Sequence, residues 1–145
     1  MADGDIVLDT SAVIALLCDE DGADKVACCL NKAKKGGIRI FLSFATLAEI
    51  FSSATKKEGK DRAELYVAIV KSWPVKWVHS SDELCLSAGM LKAQYRISFA
   101  DSFIAATAIH ADALFVHKDP EFEALKAILR MEILPYKHGA KKTNS

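Results

Sequence analysis

A chain of 145 residues, 51% hydrophobic and 26% charged, is long and apolar enough for one packed domain; a disordered segment and a short disulfide scaffold are both excluded. Nineteen Lys plus Arg balance nineteen Asp plus Glu. That balance argues against a protein that holds nucleic acid by bulk positive charge, but not against an enzyme that meets a few phosphates through metal ions. No apolar run approaches the ~18 residues of a membrane span, and the acidic start Met1–Asp5 lacks a basic n-region, so a cytoplasmic protein with no signal peptide and no membrane partner is expected.

The elements alternate along the chain. "DIVLD" reads as a short strand and "SAVIALLC" as a helix. "DGADKVACCLNKAKKGG" is a second helix, with Ala23, Val26, Ala27, Leu30 and Ala33 at helical spacing and Gly36-Gly37 as its stop. "IRIFLSF" is a strand; "TLAEIFSSATKK" and "DRAELYVAIVKSW" are helices, the latter stopped by Pro74. "VKWVH" is a strand. "SSDELCLSAGMLKAQY" is a helix that opens with Ser80-x-x-Glu83 and carries a stripe of Leu84, Ala88, Leu91 and Tyr95. "SFADSFIAATAIHA", apolar nearly all round, predicts a buried helix. "ALFVHK" is a strand, "PEFEALKAIL" a helix and "MEILPY" a last strand. The domain so read spans 1–136, followed by a polar, frayed tail over 137–145. Cys18, Cys28, Cys29 and Cys85 form no C-x-x-C pair and are expected as small buried apolar residues. The basic runs "KAKK", "KKEGK" and "KKTNS" suit solvated helix ends.

Near-continuous apolar strands between helices predict the α/β class, with a parallel central sheet covered on both faces. In such sheets a ligand site lies beyond the carboxyl ends of the strands, so the acids at the strand-to-helix joints carry the functional question. Asp9 follows "IVL", Asp119 follows "ALFVHK", Glu49 lies a turn into the helix after "FLSF", and Asp101 lies near the start of the alanine-rich helix. Each has a plain structural explanation. Asp9 suits an N-cap, Thr46-x-x-Glu49 and Ser98-x-x-Asp101 fit the capping-box pattern, and Asp119-Pro120 fits a cap followed by proline. Against caps alone stands the apolar setting of Glu49 and Asp101, with no Lys or Arg inside "TLAEIF" or "SFADSFIAA" to pair with them. Buried carboxylates need a cation or strong hydrogen bonds, and an oxygen-only ligand set suits Mg²⁺ or Mn²⁺ rather than zinc.

"IVLDTSAVIALL", "LAEIF" and "ISFADSFIAATAIHADALFVHKDPEFEAL" resemble, in order, the acidic motifs of PIN-domain ribonucleases, most closely the small VapC-type toxins and their archaeal relatives. The resemblance covers about Ile6 to Tyr136. It implies a PIN-like α/β/α sandwich, commonly dimeric, in which Asp9, Glu49, Asp101 and Asp119 are the catalytic acids and the ligands of Mg²⁺ or Mn²⁺. Thr10 and Ser11 follow the first acid and would contact the substrate phosphate. Glu121 and Phe122 match the acid and aromatic often found beyond the fourth acid. His117 departs from the pattern, standing where the family usually has Thr or Ser, and is expected to replace that hydroxyl as a hydrogen-bond donor. The implied activity is metal-dependent hydrolysis of RNA phosphodiester bonds, in a homodimer with an antitoxin protein as partner. A housekeeping RNA-processing nuclease and a catalytically inert PIN-like protein-binding module remain alternatives. A haloacid-dehalogenase-type phosphohydrolase is disfavoured because Asp9-Thr10-Ser11 lacks the Asp-x-Asp pattern. A response-regulator receiver is disfavoured because no phosphoacceptor Asp follows "VKWVH".

Overall fold

Strand side chains alternate between the two faces of a sheet, and here both faces are apolar. Ile6 and Leu8 belong to one buried cluster and Val7 to the other. A strand of this kind needs helices on both sides. The computed structural model, which describes residues 4–137, supplies them. Residues 1–3 of the expected domain and residues 138–145 of the expected tail lie outside the described residues. Strands β1 (Asp5–Leu8), β2 (Arg39–Ser43), β3 (Lys76–Val78), β4 (Leu114–His117) and β5 (Met131–Ile133) form one sheet in the order β3-β2-β1-β4-β5, with every neighbouring pair parallel. Helices α1 (Thr10–Leu17), α2 (Ala23–Lys34), α3 (Phe44–Glu58) and α4 (Lys60–Lys71) pack into the first cluster, and α5 (Asp82–Gln94) and α6 (Phe99–Ala111) into the second. The expected α/β/α sandwich with an all-parallel sheet is the observed fold.

The strand order reverses at β1: the chain builds outward through β2 and β3, then returns to β1's other side for β4 and β5. The crevice beyond the carboxyl ends of β1 and β4 is therefore the topological switch point. Helix α6 reaches it too. Asp112, in the left-handed region at φ 49°, caps α6 and turns the chain toward β4, with only Asp112 and Ala113 between helix and strand. So short a connection makes α6 antiparallel to β4 and lays its first turn over the carboxyl end of that strand. The helix is buried from Asp101 through Ala108, and its alanines allow close approach to the sheet.

Several local expectations need correction. The Thr46-x-x-Glu49 box does not cap α3: Ser43 does, accepting from the Ala45 N–H, so Glu49 lies in the second turn. The cap of α5 is Ser81, not Ser80. "PEFEALKAIL" forms only a 3₁₀ turn, Pro120–Leu125; the chain must reach the β5 position within a few residues, and i+3 spacing turns Phe122 and Leu125 inward together. The last strand is Met131–Ile133 and stops short of Tyr136. In α2 the buried residues are Ala23, Val26 and Cys29, while Ala27 is exposed. Of the four cysteines only Cys29 is buried, because Cys18, Cys28 and Cys85 fall on outward faces or helix ends.

Phe115 is fully buried and packs edge-on against Phe122 at 4.8 Å. Phe115→Ala is expected to cost about 3–5 kcal/mol. Glu64→Ala, on the exposed face of α4, should stay within ~0.5 kcal/mol of wild type. Urea midpoints at a common m-value measure both, and equal midpoints would contradict this assignment of the core.

Candidate active site

Each of the four predicted acids is delivered to the crevice by a different element. Asp9 directly follows β1, its N–H still donating to Val116 O of β4 at 2.9 Å. It is also the N-cap of α1: Oδ2 accepts from the Ser11 N–H (3.0 Å) and the Ser11 hydroxyl (2.5 Å). Glu49 projects from α3, Asp101 from the first turn of α6, and Asp119 follows β4, where its Oδ1 accepts from the Glu121 N–H. Ser98 caps α6 by accepting from the Asp101 N–H at 3.1 Å. The capping readings of Asp9, Ser98 and Asp119 thus hold together with the convergence. All four acids line one cleft of about 710 Å³ with Thr10 and Ser11.

The two hydroxyls after Asp9 are engaged with carboxylates. Thr10 has one proton and two acceptors in reach, Glu49 Oε1 at 2.5 Å and Thr46 Oγ1 at 3.1 Å. The shorter contact is with the carboxylate, which is the stronger acceptor when ionised. Ser11 donates to Asp9 and accepts from the Lys118 N–H at 2.8 Å, tying the start of α1 to the end of β4.

Asp9 is 2% exposed and its Oδ1 has no hydrogen-bond partner. Burial pushes its carboxyl up to about 7; the Ser11 bonds oppose this, and the negative charges of Glu49 and Asp119 add to it. Asp101 is pushed up to about 8, chiefly by burial and then by the charges of Asp9, Glu49 and Asp119. A group of carboxylates that resists ionisation together is one that a divalent cation would stabilise. The residues fit such an ion: carboxylate oxygens of Asp101, Asp119 and Glu121 come within 4.8 Å of one another, and all are hard oxygen donors suited to Mg²⁺ or Mn²⁺. Asp9 and Glu49 share the cleft with Asp101 and Asp119 and act on Asp101 through charge. Glu121 is the addition to the predicted set. Its signal was the second acid in "DPEFE", two residues past Asp119.

His117 does not act as expected. It is fully buried beneath the cleft, stacked near Phe115 and Phe122, and its Nδ1 accepts from the Asp119 N–H at 3.1 Å. Burial lowers its pKa, so the ring is neutral with its proton on Nε2 and steadies the Asp119 backbone as an acceptor rather than a donor. Lys118 was not anticipated. Its side chain is 3% exposed and points away from the acids, with Nζ donating to Asp21 O at 2.7 Å and pairing with Glu20 at 3.4 Å. Nothing in the sequence marks that cation as buried.

The raised carboxyls set a pH dependence. In the unfolded chain both titrate near ~3.9, whereas the metal-free fold holds them at about 7 and about 8. The fold therefore binds these protons more tightly than the unfolded chain. Their stabilising contribution is complete below pH ~4 and is lost as pH rises through the folded values. The melting temperature of metal-free protein is expected to fall between pH 5 and pH 8.5, and Mn²⁺, which binds the deprotonated form, should restore it most at the alkaline end. Asp101→Asn should flatten the slope and raise the melting temperature at pH 8.5. A wild-type slope identical to that of Asp101→Asn, in melts recorded without metal, would contradict these assignments.

Comparison with known proteins agrees with this geometry. No curated protein matches the chain. Among solved structures, VapBC2 from Rickettsia felis bound to a promoter DNA fragment superposes with a TM-score of 0.72 at 22% identity, covering 90% of this chain and 99% of that one. VapBC from Salmonella typhimurium bound to DNA gives 0.69 at 20% identity, with 90% and 98% covered. VapC20 from Mycobacterium tuberculosis, a sarcin-ricin loop cleaving toxin, gives 0.68 at 22% identity, with 90% and 99% covered. These likenesses establish the shared fold. The family model for the PIN domain matches residues 6–128, and the chain belongs to that family.

Proposed function

We propose that this protein is a Mg²⁺- or Mn²⁺-dependent endoribonuclease, the toxin component of a VapBC-type toxin–antitoxin pair. The observation that carries the reading is the convergence of Asp9, Glu49, Asp101 and Asp119 on one cleft, where burial and mutual repulsion raise the carboxyls of Asp9 and Asp101. Asp101, Asp119 and Glu121 would hold the ion, with Asp9 and Glu49 beside them. A bound divalent ion supplies Lewis-acid chemistry, acidifying water and neutralising charge on a phosphate. The chain's own residues prepare the site. Ser11 fixes the Asp9 carboxylate, Thr10 fixes that of Glu49, and the Asp119 backbone rests on His117. The start of α1 borders the cleft and directs its positive dipole end there, which favours a phosphate oxygen next to Thr10 and Ser11.

The partners follow from the same reading. The solved structures of similar fold include a toxin-antitoxin complex, and an antitoxin protein is proposed for this chain. A homodimer is proposed as well, supported by Leu86 and Met90, which expose an apolar i, i+4 pair on α5. Among the described residues no helix is long and apolar enough to cross a membrane, in keeping with a cytoplasmic enzyme.

Purified protein should cleave total cellular RNA with Mg²⁺ or Mn²⁺ and lose that activity in excess EDTA. Asp9→Asn and Asp101→Asn should each lower cleavage on the order of 100-fold or more, the scale of removing a preorganised electrostatic contact. Gel analysis with mapping of the cut ends decides. Equal cutting in EDTA would overturn the metal-dependent mechanism. Mn²⁺ binding without cleavage of any RNA would favour an inert binding module.

A further inference from the structure

The sequence Ser-Phe-Ala occurs twice, at Ser43–Ala45 and Ser98–Ala100, and both copies start a helix that carries a site acid. In each the serine is the N-cap, and the phenylalanine that follows lines the cleft. Phe103, one turn beyond Phe99, joins the two. Phe44 meets it edge-on at 5.2 Å, and Phe99 lies against it at 5.1 Å. The row grades from the buried Phe103 through the half-buried Phe44 to Phe99, which is 70% exposed. Phe103 and Phe44 are accounted for by packing. Phe99 is not, because most of its ring faces solvent two residues from Asp101. On the same cleft wall, Lys56 follows Glu49 by two turns of α3 and is the one cation lining the cleft among the described residues.

We propose that Phe99, braced by Phe103 and Phe44, is a stacking platform for an unpaired nucleobase beside the cleaved phosphodiester, with Lys56 meeting the RNA backbone; this rests on the ribonuclease reading of the same cleft. A ring already braced by its neighbours loses little freedom when a base stacks on it, and every base offers a π-face. A base inside a duplex has both faces covered and cannot occupy the platform without being extruded. The enzyme therefore selects single-stranded or looped RNA. A chain of zero net charge suits this mode, in which stacking replaces part of the electrostatic attraction that basic nucleic-acid-binding proteins use.

The test uses the full chain in Ca²⁺, which fills oxygen sites, with a short randomised single-stranded RNA and a fully paired RNA of equal length; gels verify that the probes stay intact. Phe99→Ala should bind the single strand about 10-fold or more weakly, the scale of one base–aromatic stack, and Phe99→Trp should retain wild-type affinity. Indole emission of Phe99→Trp, above the background of Trp73 and Trp77, should be quenched by the single strand and not by the duplex. Mn²⁺ calorimetry should give the same affinity for all three proteins. If Phe99→Ala binds single-stranded RNA as tightly as wild type, the ring serves another partner, such as a peptide, and the platform is overturned while the ribonuclease reading stands. If wild type binds Mn²⁺ but neither RNA, the ribonuclease reading falls and the platform with it.

Discussion

One side chain links the pieces of the site. The Ser11 hydroxyl donates to Asp9 and accepts from the backbone N–H of Lys118. It therefore joins the first strand-to-helix joint to the end of β4, although 107 residues separate Ser11 from Lys118. The separation between Asp9 and Asp119 follows from that bridge, since Asp119 is the next residue after Lys118. Lys118 is anchored in turn by its ammonium, held on Asp21 O and Glu20 in the α1–α2 connection. The joint is cross-braced from both sides. A hydroxyl suits the role because it donates and accepts at once.

Bracing is needed because the carboxylates oppose one another. With Asp9 and Asp101 nearly buried and three further acids in reach, electrostatics alone would disperse the group or keep it protonated. The fold resists this with rigid elements: a central strand, a helix buried from Asp101 through Ala108, and an aspartate backbone resting on a buried neutral imidazole. Holding these carboxyls together lowers stability locally, and the packed scaffold around them tolerates that cost.

The cleft has two chemical halves. One wall carries the carboxylates, and the other carries the aromatic row built from the paired Ser-Phe-Ala starts of α3 and α6. Both helices thus do two jobs within two turns. The serine terminates the backbone hydrogen-bond pattern, the phenylalanine shapes the wall, and the acid reaches the centre. Because the same local pattern opens two helices on opposite faces of the sheet, the rings meet over its edge.

The apolar strands, the alternation with helices and the acids at Asp9 and Asp119 were legible in the sequence, because strand burial and helix capping are local properties that a few neighbouring residues determine. Asp101 was legible for the same reason, as an acid in an otherwise apolar helix. The position of Glu49 within its helix was misplaced, since Thr46 and Ser43 are both acceptable caps and the helix starts directly where β2 ends, at Ser43. Likewise Pro120–Leu129 carries helical residues, yet forms a 3₁₀ turn because β5 must return beside β4. The sequence by itself thus determined the fold class and which acids stand at strand ends. Only the tertiary structure decided that Glu121 joins Asp101 and Asp119, that His117 turns inward as an acceptor, and that Lys118 is buried. Those three outcomes depend on contacts between elements far apart in the chain, and no local pattern of charge or hydropathy encodes which of them meet.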